Sequence, residues 1–207
     1  GNYSTVAEVK NDLEKMKIVD LAFSEKMPPA PLHWMLADRE PCVVLEAVQE
    51  ALKIYENPFG VLTNNPPFEY HRLNMNNYMN LSAKSPENRF CDKLSLKPYA
   101  QGMGAAGLPG DASSAARFVR AAFLKWNSVS PQDEKSNVSQ FFHILDGVSM
   151  VRGSVITEAG TYDITTYSCC INTRTGVYYY KTYDDSRIRK VEMQETDLEG
   201  AELITVF

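Results

Sequence analysis

The sequence of 207 residues lacks the features that mark membrane proteins and nucleic-acid-binding proteins. No apolar run approaches the roughly 20 residues that a membrane-spanning helix requires. Basic side chains are outnumbered, since 21 Lys and Arg stand against 26 Asp and Glu and the net charge is −5. A nucleic-acid-binding surface needs a concentration of positive charge. We therefore expect a protein whose partners include neither a membrane nor a nucleic acid.

Cysteine and histidine, the usual ligands of structural metals, are scarce and dispersed. The four cysteines are Cys42, Cys91, Cys169 and Cys170, and the three histidines are His33, His71 and His143. Their spacing fits neither a zinc site nor a disulfide framework. We expect free thiols in a reducing cytoplasm, with no metal and no cofactor.

The apolar residues follow a helical period in four stretches. A short amphipathic helix is predicted within residues 1–20, and further helices are predicted over residues 67–83, 111–127 and 136–150. Thr5 and Glu8 have the spacing of a capping box at the start of the first helix, and Asp111 is the predicted N-cap of the third. Between the second and third helices, residues 82–110 predict a long loop with little regular structure, of the kind that serves a function or an assembly surface.

Other stretches alternate at the strand period or form short apolar runs. Strands are predicted over residues 32–38, 42–46, 52–55, 59–63, 163–172, 177–183, 188–193 and 202–207. The order is then one helix, four strands, a group of helices and four more strands. Two antiparallel sheets with helices on the outside, a four-layer αββα arrangement in the α+β class, is the packing that this order favours.

The stretch from Gly60 to Phe68 is the most informative part of the sequence. An apolar run ends there in two amides, Asn64 and Asn65, followed by two prolines that stop any strand. An amide fixed at the end of a strand can donate to a carbonyl oxygen that becomes negative during a reaction. Asparagine is also a preferred turn residue. Both interpretations are compatible with the residues alone.

Two further features allow a functional and a structural interpretation. The proline-rich loop carries the apolar residues Phe23 and Met27, which either line a pocket or pack into the core. Arg117 lies close to the apolar side of the third predicted helix. An arginine at such a position is typically a paired or snorkelling structural residue.

Seven blocks of the sequence, in order along the chain, together resemble the choloylglycine hydrolase family, which includes bile salt hydrolases and penicillin V acylases. The blocks are residues 32–35 (LHWM), 60–66 (GVLTNNP), 107–111 (GLPGD), 116–121 (ARFVRA), 140–145 (QFFHIL), 150–153 (MVRG) and 177–183 (VYYYKTY). The resemblance runs along essentially the whole chain and is greatest to the bile salt hydrolase branch.

The resemblance implies an N-terminal nucleophile hydrolase fold, αββα, of which residues 1–207 are the C-terminal portion of a single domain. It implies cleavage of an amide by an N-terminal cysteine whose own α-amine is the base. Asn64 matches the asparagine that helps to form the oxyanion hole, and Arg117 matches an arginine that orients or polarises the nucleophile. The apolar residues Phe23, Met27 and Leu32 match one wall of the steroid-binding pocket.

The sequence departs from the family at its beginning. No cysteine lies near Gly1, and the resemblance covers only the C-terminal two-thirds of the family's length. We therefore expect the fold to be incomplete, and the chain inactive by itself, without an N-terminal segment supplied as a second chain. The resemblance also implies a homotetramer, with residues 82–110 as an assembly element.

Three functions remain open from the sequence. The first is a bile salt hydrolase that releases glycine or taurine from conjugated bile acids. The second is a penicillin V acylase, which performs the same chemistry on a different amide. The third is a catalytically inert fragment or binding module.

Overall fold

The structure is a computed structural model of the chain, and it describes all residues except 1–2, 14, 17, 20, 23, 30–31, 40, 49–50, 197–199, 202–203 and 206–207. The chain divides into two compact units, Gly1–Phe123 and Leu124–Phe207.

The first unit begins with helix α1, Val6–Leu13. The predicted capping box is present: Glu8 N donates to Thr5 Oγ1 at 3.2 Å, and Thr5 N donates to Glu8 Oε2 at 3.2 Å. These reciprocal bonds satisfy backbone groups that the helix itself leaves without partners.

A three-stranded antiparallel sheet follows, with the order β1-β2-β3. Its strands are β1, His33–Ala37; β2, Cys42–Val48; and β3, Ala51–Glu56. The central strand is covered on both faces, because the consecutive residues 43–46 are all buried. In this register His33 lies directly opposite Glu46, so their side chains share one face of the sheet.

The predicted fourth strand at 59–63 is wrong, because residues 57–67 form turns and irregular structure. The buried side chain of Asn57 satisfies this backbone locally. Its Oδ1 accepts from the backbone N–H groups of Phe59 (3.2 Å) and Gly60 (3.0 Å), and its Nδ2 donates to Val61 O (3.0 Å). A side-chain amide thus takes the place that a neighbouring strand would otherwise fill.

Two helices pack beside this segment. Helix α2 spans Phe68–Asn74 and continues as a 3-10 helix over Met75–Tyr78, so the helix predicted over 67–83 is shorter than expected. Helix α3 spans Ser114–Asn127. The core of this unit is the cluster of Val44, Val61, Phe68, Phe118 and Ala122.

Asp111 does not cap α3 as predicted, since the helix begins at Ser114. Ser113 accepts from the backbone N–H of Ala116 at 3.3 Å instead. Asp111 Oδ1 accepts from the backbone N–H of Ser113 at 2.9 Å. Two hydrogen bonds from Ser113 hold the pKa of Asp111 below its ordinary value. The bond from the Ser113 side chain has the larger effect on this pKa, and the bond from its backbone N–H has the smaller.

Residues 82–110 are irregular as predicted, apart from a 3-10 turn at Met103–Ala105. Ser82 N donates to Gly104 O at 2.9 Å, which brings the start of the segment against residue 104. A Cβ atom on Gly104 would lie 1.9 Å from Lys84 O and 2.4 Å from Ser82 O. Only glycine fits at this close approach of two backbones.

The second unit contains helix α4, Glu134–Asp146, and a second antiparallel sheet with the order β4-β5-β6. Its strands are β4, Tyr167–Asn172; β5, Val177–Thr182; and β6, Arg189–Glu192. Helix α4 begins two residues and ends four residues earlier than the predicted range 136–150. Glu134 Oε1 joins it to the sheet by accepting from Asn172 Nδ2 (2.7 Å) and Tyr179 OH (2.9 Å).

The predicted last strand, 202–207, lies largely outside the described residues. Of its members, Ile204 and Thr205 are described and are not in a strand. Among the residues that the structure describes, no helix is both long enough and apolar enough to cross a membrane.

Candidate active site

Asn64 is held in the first unit through both of its carbonyl groups. Its side-chain oxygen, Oδ1, accepts from Arg117 Nη2 at 2.7 Å. Its backbone oxygen accepts from Ser114 Oγ at 2.7 Å and bonds to His71 Nε2 at 3.0 Å. The start of α3 and the middle of α2 therefore fix this one residue.

The contact with Arg117 determines which way the Asn64 amide faces. A guanidinium group donates hydrogen bonds and never accepts them, so the Asn64 atom that faces it must be the oxygen. The Nδ2 amide group is then directed away from Arg117. Asn64 is an exposed residue, and within the described part of the chain its Nδ2 has no hydrogen-bond partner. The arrangement leaves two N–H bonds free to donate.

Arg117 is itself fixed by the backbone that precedes its helix. Its Nε donates to Ala112 O at 3.1 Å, while Nη2 reaches Asn64. The side chain thus connects the turn before α3 to a residue 53 positions earlier in the chain. The two residues that the resemblance selected separately are in direct contact.

Asn65 belongs to a second group that the sequence analysis did not identify. Its Oδ1 lies 2.9 Å from His33 Nε2, and His33 Nδ1 lies 2.7 Å from Glu46 Oε1. Glu46 is 3% exposed. The signal was present in the sequence, because a tight turn between the predicted strands at 32–38 and 42–46 places these two residues opposite each other.

His71 was also missed, since the sequence analysis treated it only as part of the apolar side of a helix. It is 1% exposed and stacks on Phe118, with ring centroids 4.8 Å apart and 10° between the planes. The stacking fixes the imidazole so that Nε2 meets the backbone oxygen of Asn64. Nδ1 is buried and has no hydrogen-bond partner among the described residues.

The apolar residues predicted to line a pocket are partly described. Met27 is 59% exposed and Leu32 is 56% exposed, so neither packs into the core. Leu32 directly precedes β1, the strand that carries His33. Phe23 lies outside the described residues.

Comparison with known proteins places the chain in a family. The family model for linear amide C–N hydrolases, choloylglycine hydrolase family, matches residues 1–206. The chain is 50% identical over 205 residues to a bile salt hydrolase/transferase from Lactiplantibacillus plantarum, and 40% identical over 207 residues to one from Clostridium perfringens. It covers 63% of each relative, and 99% of the chain is matched in both.

Solved structures give the same result for the fold. A cysteine-to-alanine mutant of conjugated bile acid hydrolase from Clostridium perfringens matches all of this chain with a TM-score of 0.88 at 40% identity, over 63% of that structure's own length. Penicillin V acylase from Agrobacterium tumefaciens matches 95% of the chain at 19% identity with a TM-score of 0.69, over 54% of its own length, which is a likeness of fold alone. The predicted N-terminal nucleophile hydrolase fold is confirmed, in a chain that represents part of it. The chain belongs to the choloylglycine hydrolase family of linear amide C–N hydrolases.

Proposed function

We propose that this chain is the larger part of a bile salt hydrolase, which cleaves the amide bond of glycine- or taurine-conjugated bile acids. The observation that carries the proposal is the contact between Arg117 and Asn64, because it leaves the Asn64 amide group as a free donor. An oriented donor of this kind stabilises the oxyanion of acyl transfer. The names of the relatives supply the substrate class.

The nucleophile in this proposal is an N-terminal cysteine outside these 207 residues, on an N-terminal segment of the full-length protein or on a second chain that supplies this segment. Its α-amine takes the thiol proton, and the thiolate forms a bond to the amide carbonyl carbon. The carbonyl electron pair moves to oxygen, toward which Asn64 Nδ2 donates. Breaking of the C–N bond releases glycine or taurine, which takes the proton from the ammonium group. Water then hydrolyses the remaining thioester.

Arg117 has two tasks in this reaction. It holds Asn64 Oδ1 at 2.7 Å, so that Nδ2 faces the reacting carbonyl. Its positive charge also lowers the pKa of a thiol placed nearby, which favours the nucleophilic thiolate.

The steroid nucleus needs an apolar surface, and Met27 and Leu32 offer one. Both side chains are more than half exposed and lie in, or just after, the proline-rich loop. We assign Phe23, in the same loop, to this wall as its third member.

Assembly and location complete the proposal. The segment 82–110 presents large apolar side chains to solvent, with Phe90 81% exposed and Tyr99 90% exposed. Large apolar side chains exposed in this way favour burial against another copy, and we propose a homotetramer. We place the enzyme in the cytoplasm, where the free thiols of its four cysteines are stable.

A side-by-side assay of the full-length protein tests the substrate. Glycocholate, taurocholate and penicillin V are incubated with the enzyme at equal concentrations, and release of glycine, taurine or the acyl group is measured. We expect one or both bile acid conjugates to give the highest kcat/KM. A much faster reaction with penicillin V would identify an acylase of that kind instead. No hydrolysis of any of the three, with bile acid still bound, would identify a binding module.

A further inference from the structure

The loop between Asn64 and Pro67 is held by a buried pair of residues that the reaction proposed above does not use. Glu46 lies on β2 and His33 on β1, and the antiparallel register sets them directly opposite. The Glu46 side chain is 4% exposed and that of His33 is 14% exposed. A carboxylate is rarely buried to this extent unless it has a specific partner.

Glu46 Oε1 accepts two hydrogen bonds that end on the two sides of this loop. One comes from His33 Nδ1 at 2.7 Å, and His33 Nε2 continues to Asn65 Oδ1 at 2.9 Å. The other comes from the backbone N–H of Phe68, the first residue of α2, at 2.8 Å. One carboxylate oxygen therefore fixes both Asn65 and the residue that follows the loop.

Asn65 is covalently joined to Asn64, the proposed oxyanion donor. The planar peptide group joins Asn64 to Asn65. A rotation of the Asn65 backbone therefore also changes the direction of the Asn64 side chain. Arg117 restrains Asn64 from the side of α3, and His33 restrains its neighbour from the side of the sheet. The two restraints act from different elements on consecutive residues.

We propose that Glu46 and His33 are positioning residues for the hydrolysis, which hold Asn65 and thereby aim the Asn64 amide at the developing oxyanion. The proposal rests on the function proposed above. It differs from a purely structural role, in which the pair would stabilise the sheet without any effect on the Asn64 amide. Positioning matters because a small displacement of a catalytic group lowers the rate steeply.

A double-mutant cycle in the full-length enzyme separates these two roles. Asn64→Ala alone should lower kcat by about 10²–10³-fold, the effect of removing one oxyanion donor. His33→Ala alone should lower kcat by about 10–100-fold, as the loss of a supporting partner does, with little change in KM. In the Asn64→Ala background, the same His33→Ala change should lower kcat by less than about threefold, because no amide remains to be aimed.

Equal effects of His33→Ala in both backgrounds would overturn the proposal, since a structural defect acts whether or not the donor is present. His143→Ala is the matched control, because His143 is exposed on α4 in the other unit. It should leave kcat unchanged. Glu46→Gln keeps a carbonyl oxygen for both donors and should retain most of the activity that Glu46→Ala loses. Loss of kcat to the same extent in both variants contradicts the proposed geometry.

A second measurement distinguishes failure of this proposal from failure of the proposed function. If the full-length enzyme hydrolyses none of the linear amides tested, the function is wrong, and the NMR signals of the Asn64 side-chain NH₂ group decide the positioning claim alone. In asparagine-labelled protein these signals are identified by their loss in Asn64→Ala. We expect His33→Ala to shift or broaden them and His143→Ala to leave them in place. Signals that do not respond to His33→Ala overturn the proposal.

Discussion

The two carbonyl groups of Asn64 have different tasks. The backbone oxygen, bonded to Ser114 and His71, fixes the position of the residue between two helices. The side-chain oxygen, bonded to Arg117, fixes the direction of its amide group. Position and direction are thus controlled by different partners. A substitution at one partner can therefore affect one property and leave the other intact.

Arg117 and Arg120 offer a direct comparison on one helix. Arg117→Ala removes the bond to Asn64 and should lower kcat by about 10–100-fold, because the amide loses its fixed direction. Arg120 instead donates to two backbone oxygens of the segment before the helix, Pro109 O at 2.9 Å and Asp111 O at 2.7 Å. Arg120→Ala should therefore lower the thermal unfolding midpoint and leave kcat nearly unchanged.

Kinetics and thermal unfolding of both full-length variants check this comparison. If Arg117→Ala lowers the unfolding midpoint as Arg120→Ala does, and the folded enzyme keeps its kcat, then Arg117 is a structural residue. That outcome would support the interpretation that its place beside an apolar helix face suggests.

The sequence predicts part of this site and misses the rest for identifiable reasons. Asn64 and Arg117 were selected through the family resemblance, while their hydrogen bond depends on how α3 packs against the loop and leaves no local pattern. His33 and Glu46 could have been paired from the turn between two predicted strands. Their connection to Asn65 could not, because it crosses from the sheet to a loop 32 residues away.

At the scale of helices and strands, the sequence predicted correctly the features that depend on neighbouring residues. The capping box at Thr5 and Glu8 depends on neighbouring residues and was correct. The strand at 59–63 was wrong because Asn57, a buried side chain outside the predicted range, takes the hydrogen bonds of that backbone. A polar residue that becomes buried can replace secondary structure, and its burial is not visible in the sequence.

Two glycines of the segment 82–110 give a matched test of its internal packing. Gly104→Ala places a Cβ against backbone oxygens of Lys84 and Ser82, and neither oxygen can move without the chain. We expect the free energy of unfolding to fall by about 1–3 kcal/mol, as in other overpacked sites. At Gly110 a Cβ would meet nothing within 4 Å, and Gly110→Ala should change the value by less than about 0.5 kcal/mol.

Urea denaturation of the two full-length variants measures both values. Equal destabilisation by Gly104→Ala and Gly110→Ala would show that the contact between Ser82 and Gly104 does not hold the segment together. The same variants report on assembly, because a segment that forms subunit contacts should change the elution volume when it is distorted.

At the scale of the whole molecule, the chain spans 63% of the length of the bile salt hydrolases that it matches. In the proposed function it contributes the oxyanion donor Asn64, the arginine Arg117 that orients this donor and the wall of the steroid-binding pocket. The nucleophile is assigned elsewhere, since a cysteine inside the chain has no free α-amine to serve as its base. The four cysteines of this chain are free thiols without a proposed task in the reaction.

Substitution of all four cysteines by serine tests whether the nucleophile lies outside this chain. In the full-length enzyme, the combined variant with Cys42, Cys91, Cys169 and Cys170 replaced should keep kcat within about threefold, because the proposed reaction uses none of these four thiols. Alkylation with iodoacetamide should inactivate the variant as completely as the wild type, through the remaining cysteine. A folded variant that is inactive, or one that resists alkylation, would place the nucleophile within these 207 residues.

The hydrogen bond between Arg117 and Asn64 also predicts what would follow if Asn64 lost its side-chain amide. Direct hydrolysis of the Asn64 side-chain amide would replace its nitrogen by an oxygen and leave an aspartate of nearly the same shape. Arg117 would bind that carboxylate more strongly than it binds the amide oxygen, so the altered molecule stays folded. The group facing the oxyanion would then be negative and would repel it. If Asn64 has the proposed role, protein altered in this way should be folded but inactive, so that a charge separation should detect it and a thermal unfolding experiment should not.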